Sequence, residues 1–182
     1  MQFAKDSFYI ALRDSLAAQF PTRAISLAGQ QRPAILVPEN EARSALTAPA
    51  PFEAPPATQL ATTLRLANCF YLNFGAARAA SAEPSGAPAL MIMRCTVTYA
   101  ATGMANSSAA DRGRALAELD SELLAICAAG FAPKRDYTQS PARDLGTTIV
   151  WTRPELGDVQ SLGSELRRSA IIALFFYPEV TC

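Results

Sequence analysis

The stretch SAIIALFFY, Ser169–Tyr177, is apolar on both of its alternating faces and decides how the second half of the chain folds. Successive side chains of a strand point to opposite faces. One face would carry Ala170, Ile172, Leu174 and Phe176, and the other Ile171, Ala173, Phe175 and Tyr177. A strand that is apolar on both sides is either central in a covered sheet or buried against another subunit. The stretch therefore predicts a closing strand whose two surfaces both need partners.

Three earlier stretches predict the strands that accompany it. Leu90–Ala100 alternates apolar and polar residues, which indicates a strand with one core face and one solvent or subunit face. Asn68–Phe74 is rich in aromatic residues, and we expect it to pair with Leu90–Ala100 as an antiparallel hairpin with a long tip at residues 79–89. Thr147–Trp151 predicts one more strand.

Two amphipathic helices are predicted. Asp6–Gln19 has apolar residues at helical spacing, with Asp6 as its N-cap, and Pro21 ends it. In Ala110–Ala128, Glu118 and Glu122 are expected to face solvent, one turn apart. The apolar stripe of this second helix consists of Leu116, Leu119, Leu123 and Ile126.

The remaining segments are predicted to be short strands or connections. Ala34–Val37, between two prolines, suits a brief strand near a sheet edge. The proline-rich residues 38–63 read as an extended surface loop, or as an arm that orders against a neighbouring subunit. Lys134–Asp144 and Leu156–Arg168 are expected to be polar connections. The prediction is one α+β domain over residues 1–182, with a mostly antiparallel sheet, an N-terminal helix and one central amphipathic helix.

Composition argues against several function classes. The 182 residues contain 16 basic and 16 acidic side chains and no histidine, so the net charge is zero. A chain this balanced has no general attraction to nucleic acid or anionic lipid, and no stretch reaches the ~20 apolar residues of a membrane span. We therefore expect no specific nucleic-acid binding and no membrane insertion. No signal peptide is recognised at the N-terminus, and a cytoplasmic location is expected.

Chemistry-bearing residues are sparse. None of the four cysteines sits in a C-x-x-C pair, which argues against a zinc site, and Cys69, Cys95 and Cys127 fit buried free thiols. Without histidine, a serine or cysteine nucleophile lacks its commonest base, and no glycine-rich phosphate motif occurs. We therefore expect no enzyme activity, no cofactor and no metal. The four cysteines are Cys69, Cys95, Cys127 and Cys182.

A small set of residues is left as a candidate subunit interface. Arginine pairs can anchor phosphate groups or neighbouring subunits, although such pairs are also common on solvated surfaces. The single tryptophan, Trp151, fits an interface but also fits the core or a cover of the sheet. The candidate interface residues are Arg112, Arg114, Trp151, Arg167, Arg168, Phe175 and Tyr177.

The order of these elements resembles a known fold. An N-terminal helix, a short strand, a hairpin, a surface helix and two closing strands are similar to the tail-terminator (minor tail protein U-like) family of tailed bacteriophages and contractile injection systems. The resemblance covers most of the chain as a pattern and little of it as identity. It is carried by FYIALRDSLAAQF (Phe8–Phe20), PAILV (Pro33–Val37), RCTVTYAA (Arg94–Ala101), ALAELDSELLAIC (Ala115–Cys127), KRDYTQSPARDLGTTIVWTRP (Lys134–Pro154) and SAIIALFFYPE (Ser169–Glu179).

The resemblance implies a structural assembly protein that forms a ring, usually a hexamer. Such a ring would cap the tail tube or sheath of a virion or injection particle, stop its polymerisation and offer a surface to connector proteins. The same particle could instead use the chain as a head–tail connector or tail-completion subunit. An alternative from another class is a soluble enzyme or small-ligand-binding domain.

Overall fold

A long strand near the C-terminus forms the centre of the main sheet. The computed structural model describes residues 1–27, 30–36, 68–80, 88–102 and 109–179. The first part of the chain contains α1 (Gln2–Gln19), β1 (Ala24–Leu27), β2 (Gln30–Pro33), β3 (Ile35–Leu36), β4 (Phe70–Phe74), β5 (Arg78–Ala79) and β6 (Met91–Thr102). The second part contains α2 (Ala109–Ile126), β7 (Gly130–Asp136), β8 (Arg143–Trp151), β9 (Glu155–Leu156), β10 (Gln160–Leu162) and the central strand β11 (Glu165–Phe176).

The sheet is antiparallel apart from one short pair. Its order is β3-β4-β6-β11-β8-β7, and only β3 and β4 run parallel. Strand β11 pairs with β6 along its whole length, from Glu165 opposite Thr102 to Phe176 opposite Met91. Its other edge is shared in turn by β10, β9 and β8. β1 and β2 form a separate hairpin.

Both helices pack on the same face of this sheet, here called the inner face. The Phe8 ring of α1 meets the rings of Trp151 and Phe74 edge-on, with centroids 5.4 and 6.3 Å away. Helix α2 contacts strands β6 and β11. The predicted α+β class, with an N-terminal and a central helix on a mostly antiparallel sheet, is confirmed, as is the hairpin of β4 with β6.

Helix α2 confirms its predicted stripe, because Leu116, Leu119, Leu123 and Ile126 are all buried. The solvent-facing prediction is wrong for Glu122. Its carboxylate accepts two hydrogen bonds from the Arg23 guanidinium, at 2.8 and 2.6 Å. This partner lies 99 residues away, so helical spacing alone could not reveal it.

Helix α1 begins earlier than predicted, at Gln2, and Asp6 is not its N-cap. Asp6 lies within the helix and only 5% of its surface is exposed. Gln2 donates a hydrogen bond to Asp6 Oδ1 at 2.9 Å, one turn back along the helix. The acidic residue therefore sits on the buried side of α1.

Two predicted connections are wrong. Lys134–Asp144 contains the end of strand β7 and the start of β8, which pair antiparallel with a bulge between Pro133 and Arg135. Leu156–Arg168 contains part of β9, all of β10 and the first residues of β11. The tight turn from Leu162 to Glu165 uses Gly163 at a φ of 61°, a backbone conformation that glycine adopts without a steric cost.

Some predicted segments lie partly or wholly outside the described residues. The short strand predicted at Ala34–Val37 is confirmed for Ile35 and Leu36. The arm at 38–63 lies outside the described residues, and so does most of the hairpin tip at 79–89. Just before the tip, β5 pairs with the start of β6. Cys69, Cys95 and Cys127 are buried, as predicted, and form no disulfide among the described residues.

Candidate subunit interface

The face of the sheet opposite the helices, here called the outer face, carries a row of apolar side chains across four strands. The strand registers place Ile92 opposite Phe175, and Phe175 opposite Val150. Val150 in turn lies opposite Phe131 on β7. Phe131 is 75% exposed and Val150 47% exposed, while Ile92 and Phe175 are partly exposed. These four residues are called the outer-face row.

More apolar surface adjoins the row. Ile171 and Tyr177, on either side of Phe175 along β11, are 40% and 45% exposed. Within the described ranges, both helices contact the inner face, and no helix contacts the outer side of the row. Contiguous exposed apolar surface on a folded domain marks an interaction site more often than chance would. The outer face is therefore the strongest candidate interface of the described chain.

The free edge of the sheet at β7 is unsuited to pairing with another strand. Pro133 lacks a backbone donor, and the bulge that follows it breaks the ladder. Lys134 points inward and is 2% exposed, and its Nζ donates to the Tyr177 carbonyl oxygen at 2.6 Å. Proline, bulges and inward charges are the devices by which natural sheets resist edge-to-edge association. Contacts are thus expected through the face rather than through this edge.

The two predicted interface arginines on β11 have partners within their own chain. Arg168 donates to Asp120 Oδ2 at 2.7 Å, and Tyr99 donates its hydroxyl to Oδ1 of the same carboxylate at 2.6 Å. Burial, followed by the bond to Asp120, raises the pKa of Tyr99. Arg167 lies 3.2 Å from Glu165 on the same strand. The two hydrogen bonds to Asp120 tie α2 to β6 and β11, whereas the Arg167–Glu165 pair lies within β11.

The other predicted residues divide between three places. Arg114 is exposed on α2, 3.5 Å from Asp111, and Arg112 is half-buried on the same helix. Trp151 is 8% exposed on the inner face, where its indole nitrogen donates to the Ala128 carbonyl at 3.0 Å. On the outer face the structure brings Phe175 and Tyr177 together, and Arg167, eight residues before Phe175 on β11, shares that face.

Sequence reasoning missed the rest of the outer face. Alternation places Ile171 on the face of Phe175 and Tyr177, but Ile171 is not among the predicted interface residues. Val150 alternates with buried residues of β8, and the same signal could have identified it. Phe131 belongs to a strand that was not predicted. Arg94 and Glu155 flank β11 opposite Ala173 and Ile171, a juxtaposition that only the strand register reveals.

A second surface feature is a groove of about 500 Å³ on the solvent side of α2. It is open to solvent, and apolar atoms, including the carbon atoms of its polar residues, contribute most of its surface. Among the residues that the structure describes, no group of acidic, cysteine or histidine side chains is placed to hold a metal ion. The groove is lined by Phe20, Arg114, Ala117, Glu118, Ser121 and Glu122.

The buried carboxyl of Asp6 is the most perturbed acid on the inner face. Burial raises its pKa from 3.8 to about 7, against the opposing effects of the Gln2 hydrogen bond and the Lys5 charge. Its Oδ2 has no hydrogen-bond partner among the described residues. A carboxyl in this state is largely protonated at weakly acidic pH and carries a buried charge above neutrality.

Neither the protein-family models nor the curated proteins with which the sequence was compared give a match. Of the helices in the described ranges, none combines the length and the apolar character that crossing a membrane requires.

Proposed function

We propose that this chain is a structural assembly protein: a tail-terminator-like ring subunit, without catalysis, that caps the tail tube or sheath of a phage or contractile injection particle. The observation that carries the proposal is the outer face. A sheet covered by helices on one side and bearing an apolar row on the other has the form of a subunit whose second side is completed by other protein. The resemblance in element order supports the same assignment.

The energetic reason is the cost of leaving the row in water. Burying apolar surface contributes about 25 cal/mol per Å², and a largely exposed phenylalanine such as Phe131 has most of its surface still to bury. The protected β7 edge directs association toward the face. Cyclic assemblies need two different surfaces per subunit. The solvent side of α2, with its groove, is available as a further contact surface.

The test is the mass of the purified chain by size-exclusion chromatography with light scattering, followed by negative-stain electron microscopy. A subunit of 19.4 kDa predicts about 116 kDa for a six-membered ring, and ring-shaped particles that bind the end of a tail tube or sheath. Val150→Lys should reduce the mass, because it places a charge in the row. Val159→Lys, at a loop position 43% exposed, is the matched control and should leave the mass unchanged. A chain that stays monomeric at every concentration contradicts the proposal.

A further inference from the structure

We infer that the outer face binds the same face of a second copy of this chain. The two copies are related by a two-fold axis that is parallel to β11 and lies midway between the two sheets. The inference rests on the proposed function only in requiring the outer face to be a protein interface. Two sheets that pack face to face lie about 10 Å apart with nearly aligned strands, as in β-sandwiches. The outer face has the features that such self-association requires.

The apolar row is self-complementary about this axis. Phe175 lies on β11 itself, and Ile92 and Val150 lie one strand away on either side of it. Rotation about this axis therefore places Phe175 of one chain against Phe175 of the other. It also places Val150 of each chain against Ile92 of the other. Every member of the outer-face row on the central three strands then meets an apolar partner.

The two ends of the row also match. Phe131 lies at one end, on β7, and Arg78 at the other, where it pairs with Ile92 on the outer face. Both side chains are exposed. The rotation brings the Phe131 ring of one copy over the Arg78 guanidinium of the other, a cation–π contact that occurs twice in the pair.

The charges beside β11 obey the same symmetry. Arg94 lies on the β6 side, opposite Ala173, and Glu155 on the β9 side, opposite Ile171. Both are exposed, and neither has an ion pair within the described part of the chain. The rotation exchanges the two sides of β11 and keeps the level along the strand. Arg94 of each copy therefore lies two residues, about 7 Å, along the strand from Glu155 of the other, a distance that the long arginine side chain can span. The face thus carries one basic and one acidic group placed to pair with a copy of itself.

This two-fold contact closes at two copies, because each outer face is then fully used. In a ring it would join two rings back to back, at about 233 kDa for two rings of six, and leave ring closure to the helix side. Val150→Lys would then reduce the mass by separating the two rings. The pairing and the ring are thus separate contacts, and each can fail without the other.

Charge exchange between Arg94 and Glu155 is the test. Arg94→Glu and Glu155→Arg each put like charges in contact twice, and each should weaken pairing at least tenfold in Kd. The double variant restores opposite charges and should pair within about threefold of the unaltered chain. An equimolar mixture of the two single variants should form the heterodimer, since both of its charge contacts then join one acidic and one basic side chain. Val159→Lys, at the exposed loop position already used as a control, adds a charge away from the row and should leave pairing unchanged.

Light scattering and native mass spectrometry separate the outcomes. Single variants that pair like the unaltered chain, or a double variant and mixture that stay unpaired, overturn the inference. A ring whose mass ignores all charge variants would do so while leaving the proposed function intact. A pair of about 39 kDa with the expected charge pattern, and no larger species, supports the inference and contradicts the ring.

Discussion

Asp6→Asn is expected to remove a pH dependence of stability that this chain derives from one buried carboxyl. Asp6 is 5% exposed on the face of α1 that packs against the sheet, and one of its oxygens lacks a partner within the described residues. Burial is the main reason for its raised pKa. The Lys5 charge and the N-terminal ammonium act against burial, and the Asp136 carboxylate acts with it. Asparagine keeps the size and the acceptor for Gln2 but cannot ionise.

The sign and size follow from the two pKa values of Asp6. Its pKa is higher in the folded state, about 7, than in the unfolded chain, 3.8, so the folded protein holds its proton more tightly. The contribution of Asp6 to stability is therefore complete below pH 3.8, is lost as the pH rises, and is absent above pH 8. One pKa unit corresponds to about 1.36 kcal/mol. The loss between pH 5 and pH 8 is then about 2.6 kcal/mol of unfolding free energy.

Urea unfolding followed by circular dichroism at pH 5, 6, 7 and 8 measures this loss directly. Between pH 5 and pH 8 the unaltered chain should lose stability, and Asp6→Asn should lose about 2 to 3 kcal/mol less. Asp14→Asn is the matched control on the same helix, because Asp14 is exposed and pairs with Arg13 at the surface. It should follow the unaltered chain. An Asp6→Asn variant with the same pH slope as the unaltered chain would refute the assignment.

Two further predictions concern packing and the helix network. Asp120→Ala removes the shared acceptor of Tyr99 and Arg168 and should cost about 2 kcal/mol in urea unfolding, whereas Asp120→Asn, which keeps one acceptor for Tyr99, should cost less. A Cβ added at Gly130 would lie 3.0 Å from the Trp151 ring, so Gly130→Ala should destabilise the fold by about 1 kcal/mol and shift the fluorescence of the single tryptophan. Gly113→Ala, where a Cβ meets nothing within 4 Å inside α2, should instead stabilise it by about 0.5 to 1 kcal/mol; the opposite order of the two glycine variants would contradict the packing described.

The elements that sequence reasoning found are those whose periodicity matches their burial. In α2, the leucines at helical spacing are the residues that the sheet covers. In β6, Met93, Cys95 and Val97 alternate with partly or fully exposed residues and are buried as predicted. Local pattern is sufficient when a single face of an element determines its place in the core.

Strand β7 was missed because its alternation is not apolar. Its inward positions after Ala132 include Lys134 and Asp136, which are buried. Strand β7 packs against α1, which is far away in sequence. Lys134 is satisfied by the carbonyl of Tyr177, 43 residues later. A lysine in a predicted connection carries no sign of such a partner. The start of α1 was misplaced for a similar reason, since Asp6 is an acidic residue on a buried face.

The candidate interface was predicted only in part because it depends on register. Phe175 and Tyr177 could be proposed from the apolar closing strand alone. Their neighbours Val150 and Phe131 become neighbours only through pairings between β11, β8 and β7. The arginines at 167 and 168 suggested an interface by composition, yet each already contacts a carboxylate of its own chain.

The three buried thiols give this protein a set of internal reporters of its own opening. Cys69 precedes β4, Cys95 lies within β6 and Cys127 follows α2, so each occupies a different part of the core. Burial raises the pKa of Cys127 to about 12 and raises that of Cys69 as well, so little thiolate forms at these sites in the native state. Alkylation at neutral pH then requires the surrounding structure to separate first. The alkylation rate of each cysteine would measure how often the structure around that cysteine opens. Equal rates at the three sites would show that helix and sheet separate together, and different rates would show that they separate in sequence.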